Sequence, residues 1–230
     1  MMDNSNEKTN ETKLIQTLKF RVSLRMNYVL FPIDGRELIE ALAQAGYKTQ
    51  PFAPFGARQR LTLSGQFAQK GNVAIDGNSD RGTLGVTSTS PDEAIEALNE
   101  MASLLKKNLQ IDVEEGSRFF EIIADYKIIS CEKPIFAISK IFEKNRVLQE
   151  IGEILGQQTS LYTLRLVPAN MEPNQEEWLD ITIEPDVTKP NSRYLISVVF
   201  RSKKRETVER FGKELESKLT TILNLIEETK

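Results

Sequence analysis

Lys19, Arg21 and Arg25 stand on one side of an alternating run, and Arg58, Arg60 and Thr62 stand on one side of another. If the two runs are neighbouring strands, their cations meet on one sheet face. Such a face can neutralise phosphates, and a flat Thr and Gly surface beside it can accept a nucleic-acid groove. The alternative is an ordinary solvated face of an antiparallel sheet, or a surface for a protein or an anionic ligand. Pro51-Phe52-Ala53-Pro54-Phe55-Gly56 places two aromatics in a loop, either as an exposed contact or tucked back onto the core. Lys19, Arg21, Arg25, Arg58, Arg60 and Phe52 are therefore the candidate contacts for nucleic acid or an anionic partner.

Catalytic chemistry is narrowed sharply by composition. The chain has no histidine and one cysteine. Ser-His and Cys-His nucleophiles, imidazole bases, imidazole metal sites and thiolate zinc sites within one chain are all excluded. The run Asp76-Gly77-Asn78-Ser79-Asp80 has the composition of a calcium loop, but an EF-hand needs glycine sixth and a carboxylate twelfth. Arg81 and Thr87 stand there instead, so the run reads as a hairpin turn. Asp125-Tyr126-Lys127 lies in a strand-like stretch whose neighbours point to opposite faces. Cys131, between apolar segments, reads as an inert buried thiol. No phosphate loop, nucleophile elbow or metal-spaced cluster is present, and no cofactor or metal is expected. A second reading is a histidine-free enzyme or small-ligand protein with a cleft between two repeats, in which Asp180 and Glu184 are the first suspects.

The elements that must position these residues follow from periodicity. Leu18, Phe20, Val22, Leu24, Met26, Tyr28 and Leu30 share one face of a strand. A helix follows, with Asp34 as cap, Glu37 completing a capping box, Ile33 stapling onto Leu38 and Gly46 as stop. Strands are expected at Arg60–Phe67, Asn72–Ile75 and Leu84–Thr87. A second helix begins with Ser90 as cap, Pro91 at its first position and Glu93 completing a box. Apolar-rich stretches run over Phe119–Ile129 and Ile135–Ile141. A helix over Asn145–Leu155 turns Leu148, Ile151 and Leu155 inward and stops at Gly156. Strands at Leu161–Val167, Trp178–Ile183 and Tyr194–Phe200 precede a last helix from Ser202 to Glu227.

The order repeats. The caps Asp34 and Asn145 are 111 residues apart, and Ser90 and Ser202 are 112 apart. Leu84 and Val86 fall opposite Ile196 and Val198 at the same shift of 112. Such spacing points to an internal duplication. The alternative is one α+β domain with halves alike by coincidence. A tandem unit of strand, short helix, antiparallel strands and long helix resembles the TATA-box-binding-protein fold. Gly46-Tyr47-Lys48-Thr49-Gln50-Pro51-Phe52-Ala53 is similar to that family's stretch after its first helix, where a phenylalanine wedges into DNA. The resemblance implies one curved sheet with helices on its convex side, and Phe52 at the wedge position. The second half carries Gly156-Gln157-Gln158-Thr159-Ser160-Leu161-Tyr162 at the matching place, Asp76 stands near the partner wedge, and Asp180 and Glu184 repel phosphate. Architecture is implied, TATA-box recognition is not.

The fold class read from the sequence is α+β. It has two pseudo-symmetric strand-helix-strands-helix repeats, with antiparallel sheets and helices on one side. Residues 1–13 form a disordered lead-in, 14–113 the first repeat and 114–230 the second. With 40% apolar and 27% charged residues a packed core is expected, and a net charge of −3 gives no global attraction to nucleic acid or anionic lipid. No apolar run approaches the roughly 20 residues needed to span a bilayer, and the N-terminus lacks a secretory apolar core. A membrane is not an expected partner. A protein or nucleic acid is, a homodimer fits the same surfaces, and one cysteine suits a reducing cytoplasm. The function read is a non-catalytic binding protein that uses its sheet face or loops.

Overall fold

The computed structural model describes residues 13–28, 32–50, 61–143, 146–172 and 175–228. Arg58, Arg60 and Phe52, and most of the expected lead-in, lie outside the described residues. The class is α+β. Among the described residues the strands are β1 (Ile15–Met26), β2 (Lys48–Thr49), β3 (Ser64–Lys70), β4 (Val73–Asn78) and β5 (Thr83–Ser88), then β6 (Ser117–Ile129), β7 (Leu164–Leu166), β8 (Trp178–Pro185) and β9 (Arg193–Ser202). The helices are α1 (Gly35–Gln44), α2 (Pro91–Leu109), α3 (Val113–Gly116), α4 (Pro134–Lys140), α5 (Arg146–Leu155) and α6 (Arg205–Glu227). The nine strands form one antiparallel sheet in the order β2-β3-β4-β5-β1-β6-β9-β8-β7.

The two longest strands meet at the middle of the sheet. Phe20 pairs with Ala124, Val22 with Ile122 and Leu24 with Phe120, and all six side chains are buried. They belong to a single apolar core that also takes Ile95, Leu98 and Met101 of α2 and Val208, Leu215 and Leu219 of α6. Gly212 lets α6 approach this seam. A Cβ there would stand 3.0 Å from Phe20, 3.1 Å from Ile122 and 3.2 Å from Ile95.

Local signals set the helix ends. Asp34 caps α1 by accepting the Arg36 N–H, and Ile33 is buried beside Leu38. At its other end the Gly46 N–H donates to the Ala43 carbonyl and the Tyr47 N–H to the Leu42 carbonyl, with Gly46 at φ 87°. This is a Schellman closure, which needs the left-handed backbone that glycine adopts freely. Gly156 ends α5 by the same pair of bonds, to Glu153 and Gly152. Ser90 caps α2, but Glu93 does not close a box onto its backbone. The Glu93 carboxylate accepts from the Ser88 hydroxyl, which in turn accepts the Ser90 N–H.

Several expectations are corrected. A bulge in β1 between Thr17 and Lys19 turns Thr17 toward α6, where its hydroxyl donates to Glu216, and leaves Leu18 37% exposed. Asp76, Gly77 and Asn78 belong to β4, so the turn is displaced to residues 79–82. Ser202 ends β9 and is not the cap of α6. That position falls to Lys204, whose N–H is accepted by the Ser202 hydroxyl. The stretch Ile135–Ile141 is largely the helix α4. The largest difference concerns α5, which has no buried residue, whereas α1 buries Leu38, Ile39, Ala41 and Leu42.

Candidate functional site

Alternation divides the sheet into two faces. Phe20, Val22 and Leu24 look toward α2 and α6, whereas Lys19, Arg21, Ser23 and Arg25 look to the other side, on which no described helix packs. Across that open face Arg21, Ile123, Val199 and Asp180 are neighbours in one row. Glu121, Arg201 and Trp178 make the next. Lys127, Leu195 and Glu184 make a third.

Most charges on this face compensate one another. Arg21 reaches across β5 to Asp76 of β4 in a two-pronged pair, Nε to Oδ2 at 3.0 Å and Nη2 to Oδ1 at 2.7 Å. It passes over Gly85, where a Cβ would collide with Nη2 and stand 2.6 Å from Cζ. Arg165 grips Asp180 in the same manner at 3.0 and 2.6 Å, and that pairing raises the guanidinium pKa. Arg201 pairs with Glu121 and lies over the Phe119 ring, 5.2 Å from its centroid. Ser197 donates to Asp125 at 2.7 Å, and Lys127 stands 3.3 Å from Asp186. Hydrogen bonds from the Thr188 N–H and hydroxyl, then Lys127, hold the Asp186 carboxyl below the usual carboxylate range. Of the three described candidate cations, Lys19 and Arg25 are exposed and make no ion pair among the described residues, and Arg21 is engaged.

A cleft between the halves would have to cross the β1–β6 seam, which is closed by continuous strand pairing. Asp180 is held by Arg165, and Glu184 accepts from the Thr163 hydroxyl at 3.4 Å. A cavity of about 910 Å³ lies elsewhere, between α4, α5 and residues 156–160, lined by Phe136, Phe142, Leu148, Gln149, Gln157 and Thr159 among others. Neither Asp180 nor Glu184 lines it. Beside it, α5 turns Val147 (58% exposed), Ile151, Ile154 (83%) and Leu155 into solvent. Sequence reasoning found this helix and its apolar stripe but expected the stripe to be buried.

Titratable groups gather at two further places. Lys13 and Glu227 form a buried pair under the end of α6, and the Ser130 hydroxyl donates to Glu227 at 2.6 Å. Burial, then the Glu227 charge, pushes the adjacent Tyr194 phenol up. Cys131 is exposed, contrary to expectation, with its sulfur 3.7 Å from the Lys13 ammonium. The strand that carries its apolar neighbours ends at Ile129, so the thiol follows the sheet rather than lying in it. On the opposite flank Tyr47 donates to Glu100 at 2.7 Å and Lys70 stacks over the Tyr47 ring. Burial, then Glu100, raises the Tyr47 pKa. Lys13 and Glu227, like Lys70 and Glu100, are paired with an opposite charge, Tyr47 is held by Glu100, and Tyr194 lies in the core. Asp125 and Lys127 look outward while Tyr126 is buried between them.

No protein-family model matches the chain, and no curated protein matches it either. Among the described residues no cluster of three or more Cys, Asp or Glu could hold a metal ion, and no helix is long and apolar enough to cross a membrane.

Proposed function

We propose that this chain is a non-catalytic binding module of TATA-box-binding-protein-like architecture that meets a protein partner across the open face of its sheet. The observation that carries the reading is the composition of that face. Ile123 and Val199 are neighbours at its centre, Leu195 and Phe119 lie two rows to either side, and Arg21, Arg165 and Arg201 on this face are already paired with carboxylates. Apolar centres rimmed by satisfied polar groups suit protein surfaces. A phosphate-binding face needs free cations; Lys19 and Arg25 stay exposed without an ion pair among the described residues, whereas Arg21, Arg165 and Arg201 would each have to abandon a carboxylate.

Strand register supports the duplicated architecture. Phe20–Ala124, Val22–Ile122 and Leu24–Phe120 map onto themselves when the halves are exchanged. Phe20 pairs with Ser88 as Phe120 pairs with Ser202, and each serine accepts the N–H two residues on, ahead of α2 or α6. On this register the second helices match at Pro91 and Arg205, two residues beyond the shift read from sequence. A cytoplasmic setting belongs to the same proposal, since an exposed lone thiol suits a reducing compartment.

The test is affinity capture with the chain as bait after nuclease digestion, beside a bait carrying Ile123→Glu and Val199→Glu. Captured protein should survive the nuclease and be lost from the substituted bait. In parallel, a labelled DNA duplex titrated at low salt should show no specific binding. Salt-sensitive duplex binding that weakens in an Arg21→Glu, Arg60→Glu variant would overturn the proposal in favour of nucleic acid.

A further inference from the structure

We draw no further inference here: the strongest candidate, the outward apolar stripe of α5 (Val147, Ile151, Ile154 and Leu155) beside the cavity between α4 and residues 156–160, carries none because nothing in the structure shows what covers it.

Discussion

At the scale of the residue, Gly85, Arg21 and Asp76 act as one unit spread over three adjacent strands. The glycine is not there for a turn, since it lies within β5. Its missing side chain makes room for the Arg21 guanidinium on its way to Asp76. Gly85→Ala should therefore displace Arg21 and lose the pair. The Arg21 side chain is 17% exposed and that of Asp76 28%, so solvent screening is only partial. The loss should be about 1 kcal/mol, read from urea denaturation midpoints at constant slope. In an Arg21→Ala background the same substitution should be neutral or stabilising, because glycine inside a strand is itself unfavourable. Equal losses in the two backgrounds would mean that Gly85 serves some other contact. Alternation in the sequence put Arg21 on the right side of its strand, but nothing local revealed its partner. Asp76 sits in an Asp-Gly-Asn run whose own preference is a turn. Pairing with β5 and the charge of Arg21 keep it extended.

At the scale of the element, α1 and α5 make the same argument from opposite outcomes. Each is amphipathic, each is ten residues long, and each closes with the glycine motif expected of it. Leu38 and Leu42 are fully buried, whereas Ile154 is 83% exposed. Leu42→Ala should lower stability by about 2–5 kcal/mol, while Ile154→Ala should change the unfolding of the chain by no more than about 0.5 kcal/mol. A large loss at Ile154 would show that something covers it. The contrast marks where sequence legibility ends. Caps and stops at Asp34, Gly46, Ser90 and Gly156 are encoded by neighbours a few residues away, so they could be read directly. The apolar stripe of α5 was equally readable. Which surface covers a stripe depends on residues far along the chain, and there α4 occupies the place beside α6 and β8. Ser202 was misread for a related reason: Glu177, distant in sequence, accepts from its hydroxyl and from the Lys203 N–H, so the chain runs two residues further before α6 begins.

At the scale of the whole molecule, the question is whether the two halves are independent. Composition and repeat spacing suggested two units of about equal length, and the strand order reads outward in the same way from each side of the seam. The seam is deeply buried. Phe20, Val22, Phe120 and Ile122 have no exposed surface, and α6 of the second half reaches Phe20 of the first and Ile95 of α2 through the gap at Gly212. Separating the halves would expose this apolar surface and leave β1 and β6 as long unpaired edges, which favour aggregation. The chain should therefore unfold as one cooperative body despite its length. Ile122→Ala, with a cost of about 2–5 kcal/mol, should shift the transitions seen by near-ultraviolet dichroism of Trp178 and by overall helicity together. Trp178 lies in the second half and α2 in the first, so a substitution acting on one half alone would move the two signals apart. Coincident shifts would establish that the β1–β6 seam couples the halves. Two separable transitions would mean that each half holds its own core and the seam is only a contact between them.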